Sequence, residues 1–210
     1  LDAYVKGLLE LPLEGKIAGI LHTENDSMAD AVISDRTNLL YGTEYIYETV
    51  LGLQFKISPF SFFQTNTKSA ERLYDRARSY VGDTKDAVIF DLYSGTGTIA
   101  QLLAPVAKKV IGVELNEAAV HDARVNVRMN KIQNVDIYSN DAGRFMMDVA
   151  EEGDSIDVVF MDPPRSGSTE EFMSSVITLG PKRVVYISCG PESLARDLKY
   201  MTKHGYQVIR

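Results

Sequence analysis

The chain has no tryptophan, one cysteine and three histidines among its 210 residues. A single cysteine forms no disulfide within the chain and assembles neither a Cys-ligated zinc site nor an iron–sulfur cluster. His22, His121 and His204 are scattered without metal-ligand spacing and read as solvated or structural, so no metal site is expected. No apolar stretch approaches the ~18 residues of a membrane span, and no membrane partner is expected. Basic residues are short as well. A formal charge of −7 and a pI near 5.0 argue against a phosphate-binding face spread over the whole chain. The deficit is uneven: residues 1–58 carry four basic and nine acidic side chains, whereas residues 59–210 carry eighteen and twenty. The longer part therefore has room for a local basic patch. A lone cysteine without a secretory leader fits a reducing, cytoplasmic setting and marks the thiol as a candidate for chemistry. Leu1, rather than Met, at the first position reads as the start of a fragment.

What is present is a full complement of core-forming residues. At 45% hydrophobic and 24% charged, a chain of this length buries a core without disulfides or metals. Residues 17–22, 30–34, 43–50 and 53–57 show partial period-2 alternation, with Asn25-Asp26 and Tyr41-Gly42 as turns, and predict a small antiparallel β-rich unit over 1–58. A helix is expected over 67–81, where Ala70, Leu73, Tyr74, Ala77 and Val81 form an apolar stripe ahead of Gly82. Arg72 and Arg76 read as its solvated face. From Ala87 onward, strands near 87–92, 109–114, 134–138, 156–161, 183–188 and 205–210 alternate with helices near 98–108, 116–130, 143–152, 169–178 and 192–204. That alternation predicts an α/β, doubly wound and mainly parallel sheet over 59–210, ending within its sixth strand. No internal repeat is present.

Five strand ends carry chemistry-bearing residues, which a parallel sheet gathers at one carboxyl edge. After the first, Asp91-Leu-Tyr93-Ser-Gly95-Thr-Gly97 places a glycine turn between strand and helix, where backbone approaches a ligand closely. Glu114 ends the next strand, placed to accept the hydroxyls of an adenosine ribose. Such a loop also serves nicotinamide cofactors or packs as structure alone. Asp91 beside the turn and Asp141 after the third strand, in reach of an adenine amino group, repel a pyrophosphate and attract a sulfonium and an ammonium. They favour S-adenosylmethionine. Asp162-Pro-Pro-Arg165 is held extended by its prolines, either as a strand stop or as a support for Asp162 to hydrogen-bond a substrate heterocycle. Cys189, in Tyr186-Ile-Ser-Cys189-Gly-Pro191, is a buried small side chain or a nucleophile. Its place between a strand and a helix N-terminus, whose partial positive charge favours an anion, points to the nucleophile. A thiol adding to C6 of uracil makes the poorly nucleophilic C5 reactive, splitting one hard step into easier ones.

Together, Phe62-Phe63-Gln64-Thr65-Asn66, Asp91 to Gly97, Gly112-Val-Glu114, Asp162-Pro-Pro-Arg-Ser-Gly167 and Tyr186 to Pro191 resemble the RNA uracil-C5 methyltransferases, over about residues 40–210. The resemblance implies a class I methyltransferase fold, S-adenosylmethionine as donor, and an RNA substrate, ribosomal first and transfer RNA second. It also implies Cys189 as nucleophile. By motif match, Gln64, Tyr93, Glu114 and Asp162 contact the donor, alongside Gly95 and Asp141 from the reading above, with Gln64 and Asp162 near the target base. Phe62 and Phe63 read equally as packing or base stacking. Many family members carry an N-terminal RNA-binding barrel, a four-cysteine iron–sulfur site and a general-base glutamate beyond the cysteine helix. None of these is expected within 1–210. A monomer is expected. The competing readings are an RNA cytosine-C5 methyltransferase, whose motif has a cysteine where this chain has Arg165, an amino-group methyltransferase, which needs no thiol, and a binding module without chemistry.

Overall fold

Five of the six apolar runs in the second part of the chain become parallel strands, and their order explains where the motifs meet. A computed structural model describes residues 1–26, 36–82, 84–153 and 156–210. Strands β5 (Thr84–Leu92), β6 (Ala107–Glu114), β7 (Val135–Ser139), β8 (Val158–Met161) and β9 (Arg183–Tyr186) form one sheet in the order β7-β6-β5-β8-β9. All four pairings are parallel. The last four residues of β5 and all of β8 are buried, as central strands must be when helices cover both faces. The chain steps outward from β5 to β7 and then returns to the other side of β5. This leaves a switch point between β5 and β8, where open sheets of this kind hold ligands.

Helices α2 (Thr67–Val81), α3 (Thr98–Leu103) and α4 (Glu117–Met129) cover one face of the sheet. Helices α5 (Ala142–Glu152), α6 (Glu170–Leu179) and α7 (Pro191–Lys203) cover the other. Their starts are set by local chemistry: Asn66, Asn116, Asp141 and Thr169 each accept a backbone N–H of the first turn. The helix expected over 98–108 is shorter. It tightens into a 3-10 turn over Ala104–Val106, where Pro105 has no N–H to donate, and β6 starts at Ala107.

Two antiparallel hairpins precede the sheet. β1 (Gly19–Glu24) pairs with β2 (Arg36–Gly42), and β3 (Ile46–Val50) pairs with β4 (Leu53–Ile57). Tyr41-Gly42, expected as a turn, instead lies inside β2. Gly42 adopts a φ of +71° opposite Gly19, and a Cβ on Gly42 would run into the Ala18 carbonyl, so glycine serves close backbone approach there. The strand expected over 30–34 lies outside the described residues. An unanticipated helix, α1 (Asp2–Leu9), buries none of its residues. The sixth strand expected over 205–210 does not form. Val208 and Ile209 are exposed and no neighbouring strand lies beside them, while Tyr206 hydrogen-bonds back to Pro181 and Met201.

One face of α4 holds the second hairpin in place. Asn126 accepts the Lys56 N–H at 2.7 Å and donates to the Lys56 carbonyl at 3.1 Å. Asn130 repeats the pattern on Gln54 at 3.0 and 2.9 Å. Asp122 accepts the Ser58 N–H and the Ser61 hydroxyl. Spaced four residues apart, these side chains act toward β4 as a neighbouring strand would, and they anchor the start of the segment that carries Gln64.

Candidate active site

The glycine turn after β5 takes its shape from three residues with positive φ: Tyr93 at +67°, Gly95 at +54° and Gly97 at +73°. Tyr93 is the unusual one, since an aromatic side chain in this region is strained and such outliers concentrate at functional sites. Its ring rests against Phe172 at 5.7 Å. A Cβ built on Gly97 would approach Ala123 at 3.0 Å, so that glycine lets α3 pack, whereas nothing lies within 4 Å of one built on Gly95. Gly95 therefore faces open space. Its N–H donates to Glu114 Oε2 at 2.9 Å, and Glu114 Oε1 accepts the Asn116 N–H at 2.8 Å. Glu114 thus ties the turn to the end of β6 and the start of α4.

Beneath this turn sits an acidic group with nothing to answer it. Asp91 is fully buried, and among the described residues neither carboxyl oxygen has a hydrogen-bond partner; the Ser94 hydroxyl beside it is also unpaired. Burial pushes the Asp91 carboxyl up to about 8, and the charges of Asp162 and Glu114 add to the effect. The Ala100 N–H and the Ser94 hydroxyl pull the other way without reaching hydrogen-bond geometry. Asp162, half-buried immediately after β8, is pushed up to about 6 by burial. Tyr74 on α2 is raised by burial and then by Asp162 and Asp91, which places its hydroxyl near both acids; the Gln64 side chain opposes that shift from close by. An uncompensated buried acid is costly unless a partner arrives, and such groups mark functional sites.

Cys189 follows β9 and is exposed. The expected strand over 183–188 stops at Tyr186, but the Ile187 N–H still bonds the Met161 carbonyl at 2.9 Å, drawing the cysteine segment alongside Asp162. A Cβ on Gly190 would lie 2.7 Å from the Arg165 carbonyl oxygen, so the two loops touch backbone to backbone. The Gly190 N–H donates to Ser188 Oγ at 3.0 Å and Pro191 opens α7.

The structure thus brings Tyr93, Gly95, Glu114, Asp162 and Cys189 to the carboxyl edge of the sheet, and the Gln64 side chain lies by Tyr74 on α2. Asp141, two residues past β7 at the outer side of that edge, is exposed and caps α5 by accepting the Arg144 N–H at 2.9 Å. Two participants were not anticipated as site residues. Tyr74 sits on the apolar stripe of α2 and reads as core. Asp197 lies on the buried side of α7, where Leu194 and Met201 at helical spacing make an acid out of place; that mismatch is the available signal. A cavity of about 620 Å³ lies at the opposite edge of the sheet, beside Gly82, Lys85, Asp157 and Arg183, and holds none of the motif residues. Among the described residues no three His, Cys, Asp or Glu side chains converge as metal ligands, and no helix is long and apolar enough to cross a membrane.

A family model described as tRNA (uracil-5-)-methyltransferase matches residues 31–209. A Clostridium tetani protein named as an uncharacterized RNA methyltransferase is 45% identical over 208 residues, covering 99% of this chain and 45% of that protein. A Caldanaerobacter subterraneus protein with the same description is 45% identical over 192 residues, covering 91% and 42%. The chain therefore spans less than half the length of these relatives. The crystal structure of Pyrococcus abyssi tRNA (uracil-54, C5)-methyltransferase, a complex with S-adenosyl-L-homocysteine, matches with a TM-score of 0.69 at 32% identity, over 89% of this chain and 45% of that one. Precorrin-6y C5,15-methyltransferase from Geobacter metallireducens, at 17% identity and a TM-score of 0.60 over 70% of this chain and 77% of its own, shares the fold alone. The motifs in the sequence, the five-stranded parallel sheet and these matches agree: the chain belongs to the tRNA (uracil-5-)-methyltransferase family.

Proposed function

We propose that this chain carries the catalytic site of an enzyme that methylates C5 of a uridine in RNA, with S-adenosylmethionine as donor and Cys189 as the covalent nucleophile. The observation that carries the reading is the exposed Cys189 thiol, on a loop in backbone contact with the Asp162–Arg165 segment and separated from the glycine turn by β8.

The donor fits the residues present. Its positive charge meets the buried, unpartnered Asp91 and the half-buried Asp162, and the open side of Gly95 admits a ligand against the backbone. Glu114 keeps lone pairs for ribose hydroxyls while it holds the turn, and Asp141, Tyr93 and Gln64 complete the set that faces the donor. When bound, S-adenosylmethionine supplies an electrophilic methyl group to C5.

The rest belongs to the protein and the base. The Cys189 thiolate bonds C6, and the C5–C6 π electrons move toward C4 as an enolate, which makes C5 nucleophilic. Asp162 and Gln64 orient the heterocycle by hydrogen bonds. After methylation a base takes the C5 proton, the C5–C6 double bond re-forms, the C6–S bond breaks and the thiolate is released.

The test is covalent trapping. RNA carrying 5-fluorouridine blocks loss of the C5 substituent, so with donor present it should leave a protein–RNA adduct that survives denaturation, and Cys189→Ala should abolish it. An adduct that persists in Cys189→Ala removes the thiol from the mechanism. Assaying ribosomal and transfer RNA separately identifies the substrate. Analysis of the product nucleoside distinguishes 5-methyluridine from 5-methylcytidine.

A further inference from the structure

We infer that Asp197 is a positioning residue for this reaction, holding the Asp162-Pro-Pro-Arg loop and the Cys189 loop together as one unit from helix α7. The inference rests on the proposed reaction and names a residue that touches neither base nor donor.

Asp197 is 2% exposed, yet its neighbours on that face of α7 are apolar. Two of its hydrogen bonds leave the helix. Asp197 Oδ2 accepts the Ser168 N–H at 2.9 Å, from the loop that begins at Asp162. The same oxygen accepts the Tyr186 hydroxyl at 2.7 Å, from the last residue of β9, three residues before Cys189. Asp197 Oδ1 accepts the Arg196 Nε–H at 2.9 Å, and the other arm of that guanidinium donates to the carbonyls of Ser166 and Ser168 at 2.9 and 3.0 Å. One turn earlier, the Ser193 hydroxyl lies 2.9 Å from the Arg165 carbonyl and 3.0 Å from that of Gly190, one from each loop. A Cβ on Gly167 would lie 2.6 Å from Arg196 Nη2 and 2.7 Å from Asp197 Oδ2, so α7 is seated directly on that loop.

A burial argument separates this from ordinary helix packing. A leucine would pack α7 against the sheet without the cost of desolvating a carboxylate. What an apolar residue would not do is satisfy at once a donor from the Asp162 loop and one from the end of β9, the strand that leads into Cys189. The Ser168 hydroxyl is buried and, among the described residues, unpaired; it lies close to the hydroxyls of Tyr93 and Tyr186, so the same cluster borders the glycine turn. Removing the carboxylate frees the Asp162 loop to move relative to the thiol. Small displacements of a nucleophile from its target are expensive in rate.

The experiment uses the full-length protein and Asp197→Asn, which keeps shape but sets an amide N–H against donors. Hydrogen exchange in peptides covering residues 162–168 and 187–190 should become about tenfold faster in both segments together. At saturating RNA and donor, adduct formation on 5-fluorouridine RNA should slow by about 100-fold, with S-adenosylhomocysteine affinity at the wild-type value. Exchange that stays slow, or an adduct formed at the wild-type rate, overturns the inference. So does a parallel fall in ligand affinity and melting temperature, which marks a merely structural residue. If Asp197→Asn does not fold, Arg196→Ala, whose side chain is 59% exposed, should raise exchange in the same two segments; if it leaves them unchanged, the inference fails. Absence of an adduct with the wild-type protein sinks the proposed reaction instead, and the exchange data alone then decide the clamp.

Discussion

A carboxyl that is buried without a partner leaves a trace in how stability depends on pH, and Asp91 is such a group. Its ordinary value of 3.8 applies in the unfolded chain, and its folded value is about 8. Below pH 4 both states hold the proton and the group is neutral in its effect. Above it the unfolded chain releases the proton while the folded protein retains it, so stability falls as pH rises and levels off only above about 8. Within that window the slope from this one residue approaches ~1.4 kcal/mol per pH unit. Asp91→Asn should flatten it, which urea titrations at pH 5 and pH 8 would measure; an unchanged slope means the carboxyl ionises freely. A cationic ligand reverses the logic, since it favours the charged forms of Asp91 and Asp162. Donor binding should then release protons near pH 7. Calorimetry in buffers of different ionisation enthalpy detects this, and buffer-independent heats would count against a cation at the site.

At the scale of elements, α4 substitutes for a strand. Asn126 answers both backbone groups of Lys56, so Asn126→Ala leaves an N–H and a carbonyl without partners and should cost about 2–3 kcal/mol. Denaturant melts would show it, and a loss below about 0.5 kcal/mol would mean water takes over the role. This arrangement was invisible in the sequence because its partners lie 70 and 76 residues away. The central parallel strands were legible, each being an apolar run that ends at a turn, prolyl or helix-capping signal (Gly95 after β5, Asn116 after β6, Pro163 after β8). Less central pieces were not. Residues 205–210 have strand-like side chains but no strand beside them, β2 was hidden because a glycine used for close approach imitates a turn, and α1 makes no buried contact to give it a clear stripe. The placement of the candidate residues followed the same rule. That Tyr93, Glu114, Asp162 and Cys189 share one edge was legible because each ends or follows a strand, whereas Tyr74 and Asp197 share their spacing with core residues and disclose their placement only through partners in other elements.

Across the whole molecule, the site draws on segments from Gln64 to Cys189 that meet only when the sheet is complete. A ligand bound there therefore stabilises the fold as a unit. At a hundredfold excess over its Kd, S-adenosylhomocysteine should add about 2.7 kcal/mol. For a chain of this size that raises the melting temperature by about 5–10 °C, readable by scanning calorimetry; no shift would argue against a formed donor site. The same global view gives the polar face of α4 another meaning. A hairpin lying beside a larger sheet offers a free row of main-chain donors and acceptors, the template on which chains recruit one another into aggregates. Asn126 and Asn130 already occupy that row at Lys56 and Gln54, so β4 presents no open flank there to a passing copy.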